Sequence, residues 1–563
     1  MNICEELPDK ILTWRLKGKG LDNFGDSGKP DEIPFPSYSE NDLIARVDAV
    51  GICFSDVKLI KSGDEHPRIK GRDLKSNPIT PGHEVSLTVV GVGDKRKDSF
   101  KCGQRYIVQA DVFYRGKSIA FGYVLPGGYS EYVVIGKEIL DGDEGCYLIP
   151  VRDTTGYAEA ALVEPWACVV AAYQTKRRTE PKEKGTVLIT GSKLDQLKLN
   201  FSGLDHRSFL KIYYNNLSAE NLKNLKLLAE KNRYTIEETS DISEISEIDD
   251  AIYSGNPEES EFKNLINSLR PGGIISVHSE PETSRIIPVD IGKSHYQNIR
   301  IVGSNNGNIL ESYTENTRTA LRQDGSAWFI GGAGPMGQMH VIKAAMAEEK
   351  PAKILITDLS SQRLKSLKDR IDQIHKKGSI NIIYMDTSEL SQDDFITFLE
   401  KEFPNGFDDI VSLVPVVSVI ASSVPFCAEN GVVNIFAGVN VGTFAIFPLE
   451  LFTDKHINVI GSSGSPLSAM KDTLNLVESS RLSTNLSLSA VADMYSVSKG
   501  VKALIDSTYT GKVVVYPKAR GLGIHSVKEL AKRVPGLEEL CLNGQYWTNE
   551  AEKLFLSSQF FKK

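Results

Sequence analysis

One segment of the chain recurs at a fixed distance, and this repeat limits the folds open to the protein. Three stretches recur at a single offset of 158 residues (431 − 273 = 158), with Gly273 corresponding to Gly431. They are LRPGGIISVHS (269–279) with CAENGVVNIFA (427–437), IRIVGSNNG (299–307) with INVIGSSGS (457–465), and DDAIYS (249–254) with DDIVS (near 408–412). The third pair keeps the offset at its final serines (412 − 254 = 158). Chance similarity rarely holds one register across three elements, so we infer a tandem duplication.

Each repeat is predicted to form an α/β domain. From GTVLITGS at 185 onward, apolar runs typical of strands alternate with amphipathic helical patterns, which indicates a parallel sheet. We call residues 185–322 copy one and residues 325–495 copy two.

Copy two carries a phosphate-binding pattern. SAWFIGGAGPMGQMHVIKAA predicts strand, glycine loop and helix, so backbone N–H groups can approach a pyrophosphate at the helix N-terminus. Asp358 ends the next strand, 26 residues after Gly332 (358 − 332 = 26), where a carboxylate grips a ribose and favours NAD over NADP. The residues expected at the dinucleotide are Gly332, Gly334, Pro335, Met336, Gly337, Asp358 and Arg363. Arg363 would soften the preference for NAD if it faced the site rather than the following helix.

Copy one is predicted to have lost this site. Its loop reads GSKLDQ, with Lys193 and Gln196 at the second and third glycine positions and Asp195 adding like charge. Asn215 stands opposite Asp358. The first and fourth strands are also about 17 residues closer in copy one (252 − 189 = 63, against 410 − 330 = 80).

Residues before 180 combine strand-like runs with metal-ligand types. Cys53, the pair His83-Glu84, and Glu164 supply a thiolate, an imidazole and carboxylates, which are the ligands of a catalytic zinc. From spacing alone, a small buried cysteine and a surface His-Glu pair remain an open alternative.

The sequence motifs around these residues favour the zinc site over the alternative of a buried cysteine and a surface His-Glu pair. GICFSDVK, PGHE and LVEPWAC resemble motifs of the zinc-containing medium-chain dehydrogenase/reductase family, near its polyol dehydrogenases and sugar-phosphate reductases. The resemblance implies that Cys53 and His83 ligate zinc. Glu84 would be a ligand or a close neighbour of the ligands, and Glu164 would be another ligand or would hold the zinc-bound water. It also implies a GroES-like, mainly-β catalytic domain over 1–180, completed near 500–520, followed here by two Rossmann-like doubly wound domains, the first degenerate.

Residues next to Cys53 have expected roles in catalysis. Ser55 would relay the alcohol's proton or, as the open alternative, stabilise a turn. Asp56 matches a family position that orients the ligating histidine. Lys58 stands where the alcohol dehydrogenase branch has a histidine. It would carry the proton, bind a substrate phosphate or hydroxyl, or be solvated.

Two departures from the family pattern shape the expected architecture. No cysteine lies between Cys102 and Cys146, so we expect one catalytic zinc and no structural zinc.

The chain also has one cofactor domain more than the family pattern. Copy one would take the place of the family's dimer partner within a monomer, although a homodimer remains open. This hypothesis predicts antiparallel pairing of 299–304 with 457–462.

The whole sequence fits a cytoplasmic enzyme of several domains. The chain has 563 residues, a net charge of −8 and scattered cysteines, without a basic run for nucleic acid or an apolar run for a membrane. GKVVVYP (511–517) is expected to close the catalytic domain, and 518–563 to form a helical tail of two amphipathic helices.

The combined prediction is a zinc- and NAD-dependent dehydrogenase acting on an alcohol, polyol or sugar phosphate, with Ser55, Glu84 and Lys58 as catalytic candidates. A zinc-free NAD(P)H reductase and a non-catalytic nucleotide-binding scaffold remain open alternatives.

Overall fold

The computed structural model describes residues 2–192, 195–281, 285–374 and 380–561. It divides into two compact units. Unit 1 is Met1–Val170 with Gly464–Lys563, and unit 2 is Ala171–Ser463. Unit 2 is thus inserted into unit 1, and its last residue precedes the expected end of copy two at 495.

The N-terminal part of unit 1 is mainly β. Its strands are β1 (Asn2–Ile3), β2 (Lys10–Thr13), β3 (Asp31–Pro34), β4 (Leu43–Gly51), β5 (Glu84–Val92), β6 (Arg105–Val108), β7 (Phe113–Tyr114), β8 (Lys117–Ser118), β9 (Tyr132–Ile135) and β10 (Leu148–Val151). Its helices are α1 (Phe54–Ser62), α2 (Lys137–Leu140), α3 (Tyr157–Ala161) and α4 (Val163–Ala171). The long strands β4 and β5 pair antiparallel, and nearly all their residues are buried.

Copy one occupies the first half of unit 2. Its elements are β11 (Thr186–Gly191), β12 (Lys211–Tyr214), α5 (Ala219–Asn232), β13 (Ile236–Glu238), β14 (Ile248–Ser254), α6 (Glu259–Ser268), β15 (Leu269–His278), β16 (Ile286–Asp290), α7 (Ile291–Gln297), β17 (Arg300–Ser304) and α8 (Ile309–Thr314).

Copy two follows with the same plan. Its elements in unit 2 are β18 (Ser326–Ile330), α9 (Pro335–Met346), β19 (Lys353–Asp358), α10 (Ser361–Ile374), β20 (Asn381–Asp386), α11 (Gln392–Glu402), β21 (Phe407–Ser412), α12 (Val417–Ser423), β22 (Cys427–Ile435), β23 (Phe444–Pro448), α13 (Glu450–Thr453) and β24 (Asn458–Ile460).

The two copies form separate parallel sheets of identical topology. The strand orders are β13-β12-β11-β14-β15-β17 and β20-β19-β18-β21-β22-β24, which are both the doubly wound order 3-2-1-4-5-6. The first residues of β16 and β23 are also 158 apart (444 − 286 = 158). The duplication and the α/β fold inferred from the sequence are confirmed.

The two copies are joined by an antiparallel pair of strands, and these are not the strands that the sequence predicted. Strand β16 pairs with β23, with Pro288 opposite Ile446 at the centre. The predicted ladder between 299–304 and 457–462 is wrong. Within the described residues, β17 and β24 pair only inside their own sheets, although Cα atoms of the two strands approach within 8 Å. Strands β17 and β24 are the edge strands of their sheets and lie near each other without pairing, while β16 and β23 form a ladder of backbone hydrogen bonds between the copies.

The C-terminal part of unit 1 completes the β domain. Its elements are α14 (Leu467–Glu478), β25 (Leu488–Asp493), α15 (Val497–Ile505), β26 (Lys512–Tyr516), β27 (Ile524–Ser526), α16 (Val527–Arg533), α17 (Leu537–Leu540) and α18 (Asn549–Leu556). The unit 1 sheet runs β10-β6-β5-β4-β26-β25-β27, so β26 lies against β4. Among the described residues, none of the helices is both long and apolar enough to cross a membrane.

Over its described residues, 518–561, the tail contains three helices where the sequence predicted two. The first predicted helix breaks after Arg533, because Pro535 lacks an N–H group and Gly536 adopts a left-handed conformation (φ 80°). Trp547 is buried and packs on Tyr516 and Phe555, so it anchors the tail to unit 1.

Candidate functional site

The structure brings three predicted zinc ligands together in unit 1. One ligand atom from each of Cys53, His83 and Glu84 lies within 4.8 Å of the other two. Cys53 is the N-cap of α1, while Glu84 begins β5 and His83 precedes it. The turn after β4 and the start of β5 therefore converge because β4 and β5 are paired along their length.

The Asp56 carboxylate lies beside the His83 ring. Its Oδ1 lies 3.4 Å from His83 Nδ1, while its Oδ2 accepts hydrogen bonds from the Cys53 N–H (3.0 Å) and the Tyr129 hydroxyl (2.6 Å). This leaves His83 Nε2 directed toward Glu164, whose Oε2 is 4.0 Å away. An imidazole held at one nitrogen by a carboxylate presents the other nitrogen to a metal.

The cluster attracts positive charge. Burial alone would lower the pKa of His83, but Cys53 and Asp56 raise that pKa well above its usual range. Burial raises the pKa of Glu164 to about 7, opposed by His83 and reinforced by Glu84. A cation among these groups would relieve the repulsion between the carboxylates, so the donor set fits the zinc ion that the family implies.

Lys512 is a site residue that sequence reasoning missed. Its Nζ donates to Glu84 Oε1 (2.5 Å) and to the Ile52 carbonyl (2.9 Å), and both charged side chains are buried. Among the described residues, Glu84 Oε2 has no hydrogen-bond partner. It lies so close to Gly51 that a Cβ on this glycine would overlap it. Only the order of strands in the sheet, which places β26 beside β4, would have pointed to Lys512, because 428 residues separate it from Glu84.

Ser55 and Lys58 lie on the same helix but in different surroundings. The Cys53 thiol donates to the Ser55 hydroxyl at 3.4 Å, so Ser55 borders the cluster. Lys58 is exposed one turn further along α1. It contributes to lowering the pKa of His66, after burial and Arg68, so Lys58 lies near that histidine.

A cationic rim borders the cluster, which the sequence did not reveal. We give this name to Lys58 and Arg68, whose charges both act on His66. Tyr123 stands between the rim and the ligands, since its ring centroid lies 5.9 Å from that of His83 and 5.5 Å from that of His66. The Arg68 guanidinium lies 4.9 Å from the Tyr123 centroid and donates to Asp111 (2.6 Å).

Copy two presents an intact glycine loop. A Cβ on Gly337 would lie 2.6 Å from the Gly331 carbonyl oxygen, so glycine is needed for α9 to pack on the loop. A Cβ on Gly334 would meet only that oxygen, at 3.4 Å, which leaves its outer side open. Pro335 and Met336 follow as the first residues of α9, and proline suits that position because the first N–H has no helical partner.

Asp358 ends β19 beside this loop. Its carboxylate accepts hydrogen bonds from the Ala333 N–H (3.2 Å) and the Ser360 N–H (3.1 Å). Burial raises the pKa of Asp358, and Arg363 on α10 opposes that rise. Arg363 thus lies on the following helix, and its charge lowers the pKa of Asp358.

Copy one has no comparable cradle in its described residues. Lys193 lies outside the described part of the chain. Gln196 fills the space beside Gly191 and donates to the carbonyls of Ser192 (2.6 Å) and Asn216 (2.7 Å). The segment from 195 to 210 forms one short 3-10 turn (Phe201–Leu204) where copy two has α9, which explains the shorter spacing between strands. Asn215 donates to the Thr239 carbonyl (2.6 Å).

Comparison with known proteins extends these observations. Residues 39–140 match the alcohol dehydrogenase GroES-like domain. The chain is 20% identical to mannitol-1-phosphate 5-dehydrogenase of Aliivibrio fischeri over 92% of this chain and 93% of that protein. It is 32% identical to L-sorbose 1-phosphate reductase of Klebsiella pneumoniae over 25% of this chain and 34% of that protein.

A solved structure shows the same fold. The 2R,3R-butanediol dehydrogenase of Bacillus subtilis aligns with a TM-score of 0.51 at 15% identity, covering 90% of this chain and 99% of that one. Together with the sequence matches, this confirms the resemblance to the zinc-containing medium-chain dehydrogenases.

Proposed function

We propose, from the premise that this chain is an oxidoreductase of the alcohol dehydrogenase family, that it is a zinc- and NAD-dependent dehydrogenase of polyol or sugar phosphates. The observation that carries the proposal is the convergence of Cys53, His83 and Glu84 within 4.8 Å. Glu164, next to His83, would complete the ligand set.

The chain's residues would divide the chemical work. Cys53, His83 and Glu164 would hold zinc, with Glu84 as a further ligand or as a carboxylate neutralised by Lys512. Bound zinc supplies a Lewis acid that lowers the pKa of an alcohol, and bound NAD supplies the hydride acceptor. Ser55 would pass the alcohol's proton away from the site, because its hydroxyl borders Cys53.

The cationic rim supports a phosphorylated substrate. Burial is the main reason that the pKa of His66 is lowered, and the charges of Arg68 and Lys58 lower it further. Two cationic side chains thus act beside the ligand cluster, although Arg68 is paired with Asp111. A guanidinium presents a fork of donors that matches phosphate oxygens. The names of the two relatives above also point to phosphorylated polyols or sugars.

Paired substrates test this specificity. NAD-linked turnover would be measured with mannitol 1-phosphate against mannitol, and L-sorbose 1-phosphate against L-sorbose. We expect kcat/KM to favour the phosphorylated member of a pair, and Arg68→Gln to lower that value about 10- to 100-fold, since a charged hydrogen bond contributes about 1.5–3 kcal/mol. Arg115→Gln, a change of an exposed arginine in the same unit, is the matched control. Equal kcat/KM for both members in wild type and Arg68→Gln would contradict a phosphate site at the rim.

A further inference from the structure

The two copies meet through a contact that repeats itself across a local two-fold axis. Pro288 faces Ile446, and these residues are equivalents in the duplication (446 − 288 = 158). On either side, Ile286 pairs with Pro448 and Asp290 with Phe444. Such self-complementary pairing is typical of an isologous dimer interface, here formed within one chain.

Copy one holds the loop that follows β22 of copy two. We call residues 435–443, which begin at the last residue of β22, the β22 loop. Asp290 Oδ2 accepts from the Gly442 N–H (2.9 Å), while its Oδ1 caps α7 by accepting from the Lys293 N–H (2.8 Å). A Cβ on Gly292 would overlap the Asn440 carbonyl oxygen, so the two backbones are in direct contact. The start of α7 therefore fixes the far half of the β22 loop.

Two side chains of α7 reach the near half of the same loop. His295 Nδ1 lies 3.0 Å from the Ile435 carbonyl oxygen, at the last residue of β22. The Tyr296 hydroxyl would lie 2.8 Å from a Cβ on Gly438. The rings of His295 and Tyr296 meet edge to face with centroids 4.5 Å apart, so they pack as one aromatic pair.

The mirror contact uses different side chains. At an offset of 158 residues, the equivalents of His295 and Tyr296 are Thr453 and Asp454. Gly303 and Gly461 are equivalent glycines of the two copies. A Cβ on Gly303 would lie 3.0 Å from Thr453 Cγ2, and a Cβ on Gly461 would meet the His295 backbone. The backbone contact is thus kept on both sides, but the aromatic pair faces only the copy with an intact glycine loop.

The position of the β22 loop indicates what the difference between the two contacts could do. In a sheet of order 3-2-1-4-5-6, a dinucleotide lies across the carboxyl edge where the order reverses, with each mononucleotide on one half of the sheet. The glycine loop and Asp358 belong to the half that holds the adenosine side. The β22 loop follows the fifth strand, so it belongs to the half that would hold the nicotinamide side.

We infer that His295 and Tyr296 of copy one are positioning residues for the nicotinamide half of the dinucleotide site in copy two. They act through the β22 loop, which they pack against at Ile435 and Gly438. The inference rests on the proposed binding of NAD by copy two. It also assigns a task to copy one, which has lost its own loop but kept the interface.

Two ligands separate this role from a general effect on folding. NADH and ADP-ribose share the adenosine and pyrophosphate groups, and only NADH carries the nicotinamide. The dissociation constants of both would be measured for wild type, Tyr296→Ala and Tyr296→Phe by titration of the full chain. Tyr296 is 47% exposed, so its removal should leave unit 2 folded. Asp454→Ala changes the equivalent residue of copy two and is the matched control.

We expect Tyr296→Ala to weaken NADH binding about tenfold, a change of about 1.4 kcal/mol, and to leave ADP-ribose binding within twofold. Tyr296→Phe keeps the ring but lacks the hydroxyl beside Gly438, so it should recover only part of the NADH affinity. Asp454→Ala should bind both ligands as wild type does. Equal effects of Tyr296→Ala on the two ligands, or no effect on either, would overturn the inference while leaving the proposed function intact. A wild-type chain that binds neither ligand would instead contradict the proposed function.

Discussion

The Nζ atom of Lys512 lies 2.5 Å from Oε1 of Glu84, and both side chains are buried beside Cys53 and His83. The two residues come from β26 and β5, which are separated by most of the chain and brought near by β4 between them. Segments of unit 1 on both sides of the inserted sequence therefore contribute to one buried cluster.

Removing Lys512 should damage both the site and the fold of unit 1. Lys512→Met leaves the Glu84 carboxylate buried without its partner, which typically costs about 3–5 kcal/mol. We expect a lower melting temperature and a zinc affinity reduced about 10- to 100-fold, as for other groups that support metal ligands. Calorimetry and zinc titration would measure these. Lys532→Met, at an exposed position of α16, is the control, and a Lys512→Met chain with wild-type zinc affinity would refute the supporting role.

Two glycines of copy two should respond differently to alanine. Gly334→Ala places its methyl where a pyrophosphate would approach, so NADH affinity should fall more than tenfold with little change in melting temperature. Gly337→Ala should lower both, since its Cβ would lie 2.6 Å from a backbone oxygen. Gln196→Ala in copy one should leave NADH affinity unchanged. A loss of affinity in that variant would show that copy one also binds the dinucleotide.

The charge of Asp358 should set the choice between NADH and NADPH. The Ala333 and Ser360 N–H groups donate to different oxygens of Asp358, so Asp358→Asn keeps an acceptor for only one of them. It also removes the negative charge that would repel a 2′-phosphate. With Arg363 nearby, we expect the ratio of NADPH to NADH affinity to rise at least tenfold (roughly 1.4 kcal/mol). Fluorescence titration with both nucleotides measures the ratio. An unchanged ratio would place the ribose away from Asp358.

Buried histidines should make the protein less stable in acid. Burial lowers the pKa of His278 to about 3, and its two ring nitrogens lie 2.7 Å and 2.8 Å from the hydroxyls of Ser276 and Ser304. Between pH 6.5 and about 3 the unfolded chain binds a proton that the folded chain does not, so stability falls as pH falls in that window.

This histidine accounts for a slope of about 1.4 kcal/mol per pH unit within the window. His278→Asn should be less steep by that amount when unfolding free energies are measured by denaturant titration between pH 6.5 and 4. The exposed His206→Asn is the control, because its left-handed backbone (φ 63°) accepts asparagine. Parallel curves for wild type and His278→Asn would contradict the assignment.

Local patterns in the sequence were sufficient for much of the fold and part of the site. The 158-residue offset predicted both copies, because corresponding strands keep their apolar pattern and glycines. The ligand types at Cys53, His83 and Glu84 were visible because each stands in a short local motif.

Long-range contacts were not visible in the sequence. Lys512 has no motif around it, and its role follows only from the strand order of unit 1. The sequence predicted the pairing between the copies at 299–304 and 457–462 rather than at β16 and β23, because edge strands and interface strands have similar apolar patterns. The missing helix in copy one was signalled only by a shorter spacing between strands, and Pro535 was passed over within an otherwise helical pattern.

The most direct test of a zinc- and NAD-dependent dehydrogenase is NAD-linked turnover of a polyol phosphate during removal and return of zinc. The purified chain would be assayed with mannitol 1-phosphate before chelation, after chelation, and after zinc is restored, with zinc per chain measured at each stage. The account predicts about one zinc per active chain, turnover that is lost on chelation, and recovery with the metal. NADH binding should persist throughout, because copy two forms its glycine loop without residues of the zinc cluster. Full turnover by a chain that retains no zinc would contradict the central claim.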